Sequence, residues 1–504
     1  MVSRTPPTPP GLERLEALPR IAGDLAANWP EYLEVLRDPS LYAAIAGCAV
    51  AGVGAIVGAR AGARHLSRRP GDIVLGRRIE TRLDRYLKAP IVARWIDRTH
   101  HTELVGPTGS GKTTALLPQA VQDLLNGHTV AAVEIYGDFG TSLIPYAIAL
   151  GRPLFVFDPS LDGSLRWNPL AGEEDEAVVG HFASVVEGLF VHHFYKAFNG
   201  DAARAFARLA REYARKHGAE ADLALFILLL CDRAFLYKAL RVRQEGSGPD
   251  KTETVGAPWV GRETRSWFDS AYLRWSEKLR VDYMTDLRVW VTKLLSRTAA
   301  RRALCPGPGE LTLDMRTALS TPGALVVLRF PVEAVDEEPA RAMARFATRT
   351  IQDLTLRRFS DAQAFGLPVP PLALYLDELP TLVGRDLNDA MSTAQWMALV
   401  RKQRVAVTVA HQGGVLIGDV LSGARATNAL TKLIAPGLGA DDLLKAQRTL
   451  GFEEKLGHDE RVTDPGLFGS GHYSRSRGTR THRAPRFDED ELKYSKVGNW
   501  ALLP

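Results

Sequence analysis

The residues best equipped for chemistry form one run: Gly106, Pro107, Thr108, Gly109, Ser110, Gly111, Lys112, Thr113 and Thr114. The spacing is G-x-x-x-x-G-K-[ST], in which glycines let the backbone fold around a phosphate and turn N–H groups toward it. Lys112 has the reach to meet β- and γ-phosphate oxygens, and the Thr113 hydroxyl suits a place on Mg²⁺. A second element is an apolar run that ends in Asp377 and Glu378. Asp377 fits a magnesium or magnesium-water ligand, and Glu378 fits a general base that polarises an attacking water. An acid beside the magnesium acid favours hydrolysis over transfer to a bound acceptor. No N-K-x-D guanine-reading motif occurs, so ATP with Mg²⁺ is the expected cofactor pair. Leu421-Ser-Gly-Ala-Arg425 looks like a transporter-ATPase signature, but that signature precedes its acidic strand and this run follows Asp377.

Positioning these groups requires strands that end at the phosphate loop and at the acids. Short apolar runs predict strands over 102–105, 129–135, 153–157, 324–329, 372–376, 405–410 and 432–435, with a last short one over 500–503. Several are almost continuously apolar, as strands covered on both faces must be. A helix follows Lys112, with Leu116, Ala120 and Leu124 on one face. Strands alternating with helices imply an α/β fold with a mainly parallel sheet. Between 172 and 310 the strand signal gives way to charge-rich helical periodicity, read as an inserted all-α domain, with 240–264 as a loop inside it. The expected organisation is an N-terminal segment 1–40, a transmembrane helix 41–62, a nucleotide-binding domain in two parts (63–171 and 311–504), and the helical insert 172–310.

The membrane helix rests on Leu41–Ala59, nearly all Ala, Gly, Val, Ile and Leu, with no charge between Asp38 and Arg60. Its length suffices to cross roughly 30 Å of hydrocarbon. Gly54 and Gly58 stand at G-x-x-x-G spacing, which lets two such helices approach closely. Arg60, Arg64, Arg68 and Arg69 follow at once, so the positive-inside rule puts the main body in the cytoplasm. A signal peptide fits poorly, because the stretch starts late and lacks a basic region before it. Cys48, Cys231 and Cys305 are far apart, which argues against a disulfide framework or a zinc site. His100–His101 and His192–His193 lack metal-ligand spacing and read as satisfied or surface histidines. A formal charge of +5 is compatible with a nucleic-acid partner without arguing for one.

The order of motifs resembles the coupling proteins of conjugative type IV secretion (the TraG/TraD class) among the FtsK/HerA-like motors. The resemblance runs from about residue 70 onward. It rests on "HTELVGPTGSGKTTALLP", on Trp167-Asn-Pro-Leu170 after a Phe-Asp-Pro strand end, on "LYLDELPTL", on "VRKQRVAVTVAHQ" with its R-x10-Q spacing, and on "ATNALTKLIAPGLGADD". It implies a RecA-like motor assembled as a homo-hexamer, each ATP lying between neighbours. Arg401 then matches the arginine that reaches a neighbour's nucleotide, and Gln412 the γ-phosphate-sensing glutamine; for Arg401 a solvated basic cluster with Lys402 and Arg404 is the plainer reading. The implied localisation is the bacterial inner membrane, and the implied partners are a type IV secretion channel and single-stranded DNA carrying a relaxase. Three departures stand out. The second strand runs into "VEIYGD" where the family has a D-x-K-G-E-like turn, one membrane helix is found instead of two, and no long acidic tail follows the last strand, which puts partner recognition elsewhere.

Two basic stretches are candidates for DNA. Residues 262–301 hold Arg262, Arg265, Trp267, Arg274, Trp275, Lys278, Arg280, Arg288, Trp290 and Lys293. Tryptophans at such spacing more often form core than stacking platforms. The run 473–486, polar and Gly-containing, is read as a loop and divides evenly between a solvated strip and a phosphate contact. The leading function is an ATP-driven DNA translocase feeding a secretion channel. A nucleotide-switched docking receptor, a motor for protein effectors and a double-stranded DNA pump stay open.

Overall fold

Runs of valine, leucine and alanine become strands only where both faces find cover, and here they do. The computed structural model describes residues 72–77, 90–172, 175–189, 196–245, 252–378, 382, 387–412, 431–450, 452–463, 474–485 and 501–503. The expected membrane helix, 41–62, lies outside them. Among the described residues no helix is long and apolar enough to cross a membrane.

In chain order, β1 (Ile73–Arg77) and β2 (Pro90–Ala93) pair antiparallel, and β3 (Thr102–Val105) leads into the phosphate loop. Helix α1 (Lys112–Leu125), β4 (Thr129–Glu134), α2 (Phe139–Ala149) and β5 (Leu154–Phe157) follow. The next stretch is helical: α3 (Asp175–Leu189), α4 (Lys196–Lys216), α5 (Leu223–Cys231) and α6 (Arg233–Leu240). A short hairpin, β6 (Arg243–Glu245) with β7 (Thr252–Thr254), interrupts 240–264, which was expected to be all loop. The block resumes with Arg262–Trp267, a π-helical turn Phe268–Tyr272, α7 (Glu277–Leu294) and Thr298–Leu304. Then come β8 (Leu325–Arg329), α8 (Glu337–Leu356), β9 (Leu372–Leu376), α9 (Leu387–Val400), β10 (Val405–His411), β11 (Thr431–Ile434) and α10 (Ala440–Leu450). Two twelve-residue strands, β12 (Phe452–Thr463) and β13 (Ser474–Pro485), pair along their whole length, and β14 (Ala501–Leu503) ends the series. The 473–486 loop reading is therefore corrected: 474–485 is extended, each position paired across to β12.

The central sheet has the order β14-β11-β3-β10-β9-β4-β8-β5. Its pairings are parallel except that of β11 with β14. Alternate residues serve opposite faces, as the two-residue strand period demands. Val130, Ala132, Leu325, Val327, Ala373 and Tyr375 join Leu116, Ala120 and Leu124 of α1 and Phe139 and Leu143 of α2 in one core. Ala131, Val133, Val326, Leu328, Leu374, Leu376 and Val407 face the other core, continuous with the helical block through α8.

The junction with that block is made by the W-N-P-L element. Trp167 is buried, edge-on to Phe157 and tilted against Phe346. Asn168 Nδ2 donates to Ala221 O at 2.8 Å, and its Oδ1 accepts from Leu170 N at 3.0 Å. Trp167 N–H donates to Ala303 O, and an isolated parallel bridge joins Arg166 to Thr312. Both ends of the helical block thus meet at this one place. Asp222, Asp232 and Ser276 accept from the N–H groups three residues on, capping α5, α6 and α7.

Three cations of 262–301 are turned inward, while Arg262, Arg274, Lys278 and Lys293 are exposed. Arg265 donates to Val255 O and Ala257 O, Arg280 to Tyr272 O and Leu273 O, and Arg288 to Leu230 O. Trp267, Trp275 and Trp290 pack against the core. The core reading therefore holds for the tryptophans and for the inward-turned arginines.

A buried charged group also ties the α/β part together. Arg98, 1% exposed, donates to Asp123 Oδ2 at 2.7 Å, and the Tyr375 hydroxyl donates to the same oxygen at 2.6 Å. Burial opposes charge on Asp123, but the adjacent Arg98 guanidinium and His128 hold its pKa down to about 2. Removing one member strands the other charge in the interior. Arg98→Met should therefore cost about 3–5 kcal/mol of unfolding free energy in denaturant titration; a loss under about 1 kcal/mol would contradict this.

Candidate nucleotide site

In a parallel sheet every strand ends on the same side, so the functional groups at strand ends converge. Val105 leads into the loop, Glu134 ends β4, Asp377 and Glu378 follow β9, and Gln412 follows β10. The sheet order places β10 between β3 and β9. Gln412 therefore sits between the phosphate loop and the acids.

The loop is built for close backbone approach. A Cβ on Gly106 would lie 2.4 Å from Ser110 Oγ and 2.5 Å from Ala435 Cβ, so only glycine fits. Gly111 has φ 90°, the left-handed region that glycine adopts without penalty, and α1 starts at the next residue. Lys112 is buried, and its Nζ donates to Gly106 O at 2.9 Å and Pro107 O at 3.3 Å. Thr108, Gly109, Thr113 and Thr114 are exposed. Beneath the loop, Glu103 of β3 meets His411 Nε2 at 2.9 Å and Lys432 Nζ at 2.7 Å, tying β10, β3 and β11 together.

Lys112, Glu378 and Gln412 come together. Lys112 Nζ is 3.9 Å from Glu378 Oε1, and Gln412 Nε2 donates to that oxygen at 3.0 Å. Glu378 has φ 55°, a conformation that costs a non-glycine residue about 1–2 kcal/mol, and its N–H donates to Asp377 Oδ1 at 3.1 Å. Asp377 is buried, and its pKa is pushed up to about 6 by that burial and by the Glu378 charge, with Lys112 opposing.

A further acid belongs here. Glu134 is fully buried; burial and the Asp377 charge push its pKa up to about 7, against the N–H of Gly140 at 3.1 Å. Sequence alone marked Glu134 only as a departure in a turn. What places it beside Asp377 is the pairing of β4 with β9, a long-range fact that strand spacing does not carry. The residues fit a magnesium-bound triphosphate: Ser110 Oγ and Glu134 Oε2 are buried without a hydrogen-bond partner, and the Lys112 ammonium is met by the loop's own carbonyls. Such polar atoms are costly unless a ligand or water completes them.

Both raised carboxyls bind protons more tightly in the folded state. Their stabilising contribution is full below about pH 4 and is lost as pH rises through about 6 to 7. Nucleotide-free protein should accordingly lose stability over that window. Cation binding runs the opposite way, since Asp377 must be ionised to hold Mg²⁺, so magnesium-dependent ATP affinity should fall below about pH 6. Glu134→Gln removes a neighbouring negative charge and should move that midpoint downward; titration calorimetry across pH reads it, and an unmoved midpoint would contradict the coupling.

Arg401 lies elsewhere. It sits on the turn Arg401–Gln403 at the opposite end of β10, exposed. At roughly 3.3 Å per residue the strand puts about 20 Å between it and Gln412. The side chain cannot reach the nucleotide site of its own subunit.

No family model matches the chain, and no curated protein matches it. Solved structures do. The bacterial conjugative coupling protein TrwBdeltaN70, in an unbound monoclinic form, is 15% identical with a TM-score of 0.53, over 86% of this chain and 86% of that one. The plasmid coupling protein TrwB in complex with ADP and Mg²⁺ is 17% identical with a TM-score of 0.44, over 76% and 78%. VirB4 of Thermoanaerobacter pseudethanolicus is 14% identical with a TM-score of 0.44, over 76% and 89%. The chain thus shares its α/β fold with a bacterial conjugative coupling protein.

Proposed function

We propose that the protein is an ATP-hydrolysing motor of the type IV secretion coupling class. In this reading it is anchored in the bacterial inner membrane through 41–62, works as a homo-hexamer, and passes single-stranded DNA with its bound relaxase to a secretion channel. The observation that carries the reading is the meeting of Lys112, Glu378 and Gln412 at strand ends, in a fold shared with a conjugative coupling protein.

The residues divide the work as follows. Backbone N–H groups of 106–114 and the N-terminus of α1 cradle the phosphates, and Lys112 exchanges loop carbonyls for phosphate oxygens. Asp377 and Thr113 would hold Mg²⁺, which supplies neutralising charge to the triphosphate. Glu378 accepts a proton from the attacking water, and Gln412, bonded to Glu378, registers the γ-phosphate. Arg401, too distant to act at home, serves the neighbouring subunit.

Full-length protein in lipid nanodiscs should hydrolyse ATP faster with a single-stranded oligonucleotide, and Lys112→Ala should abolish the activity. Nucleotide binding without turnover would favour a docking receptor, and stimulation by duplex alone would favour a double-stranded pump.

A further inference from the structure

Arg401 is not loose on the surface. One N–H of its guanidinium fork, on Nη1, lies 3.0 Å from His100 Nδ1. A guanidinium can only donate, so Nδ1 accepts and His100 is the neutral Nε2–H tautomer. Among the described residues the other N–H groups of the fork meet no acceptor and stay available for an anion. Left free, an exposed arginine spreads over many rotamers, worth about 2 kcal/mol of entropy. A single acceptor at its tip removes part of that freedom in advance.

The platform under His100 is firm. His101 adopts φ 65° and is 1% exposed. Its Nε2 donates to Met397 O at 2.6 Å, and its Nδ1 accepts from Val407 N at 3.2 Å. Met397 is in the last turn of α9 and Val407 is in β10, so His101 fastens the 99–101 turn to both flanks of Arg401. The same turn opens β3, which reaches Gly106 directly. Neither histidine takes part in the nucleotide site described above.

We propose that His100 is a positioning residue for Arg401: its neutral imidazole holds the guanidinium extended toward the nucleotide of the adjacent subunit. This rests on the reading of Arg401 as the arginine donated between subunits. His100 touches no nucleotide itself and acts only through Arg401.

The test uses the full-length protein and reads ATP turnover with a single-stranded oligonucleotide. His100→Ala should lower kcat roughly ten- to a hundredfold with KM for ATP unchanged. His100→Asn, which keeps an acceptor oxygen, should retain most of the activity. In an Arg401→Ala background, His100→Ala should add nothing. In mixed rings the defect should follow the subunit that donates Arg401, not the one that holds the nucleotide. Wild-type kcat in His100→Ala, with Arg401→Ala inactive, would overturn this inference and leave the proposed function standing. Loss of ATP binding in both His100 variants would assign the residue to structure alone, which also overturns it. Full turnover in Arg401→Ala would remove the donated arginine itself.

Discussion

Arg401→Ala should keep ATP binding close to that of the parent protein and lower turnover by about a thousandfold or more. The expectation follows from where the residue stands. Its own nucleotide site lies about 20 Å away along β10, so it can contribute to catalysis only across a subunit boundary. In the proposed ring, each Arg401 would face the next phosphate loop and stabilise charge that develops on the transferring phosphoryl group. Rings mixed from Lys112→Ala and Arg401→Ala subunits separate this from a local effect. Activity should track the number of interfaces that pair an intact Lys112 with an intact Arg401. Mixed rings as inactive as either variant alone would place the arginine's role within one chain.

Glu378→Gln should lower hydrolysis by about 10²- to 10⁴-fold while ATP stays bound. The substitution preserves size and keeps an oxygen for the Gln412 donor that now meets Oε1 at 3.0 Å. What disappears is the charge and the basicity, so a trapped nucleotide reports chemistry and not collapse. The left-handed backbone of Glu378 supports the assignment, because strain of this kind is kept where a side chain must point in one direction. Unchanged hydrolysis in Glu378→Gln would remove its role as base.

Much of the α/β fold was legible in the residues. Strands such as Val130–Val133 and Leu325–Leu328 are buried on both faces, so their apolar runs are uninterrupted and their bounds can be read within a residue or so. The phosphate loop announces itself because only glycine tolerates the contact at Gly106 and the φ at Gly111. The ribbon β12–β13 was not legible. "SRSRGTRTHRAP" has no apolar alternation, and two strands pairing mainly with each other need none, so composition pointed to a loop. The partnership of Asp123 with Tyr375 spans 252 residues, and that of His100 with Arg401 spans 301. Such contacts arise from sheet order, which no local pattern encodes. His101 was read as a satisfied or surface histidine and is a buried, satisfied one, but nothing in its neighbourhood showed that it braces the turn beside Arg401.

The most direct measurement is a double-mutant cycle on ATP turnover by the full-length protein, with Lys112→Ala and Asp377→Asn. If the phosphate loop and the acids grip one magnesium–triphosphate, each substitution alone removes nearly all turnover and the pair is no worse than either. Losses that multiply independently, or a wild-type protein that leaves ATP intact with DNA present, would contradict the account.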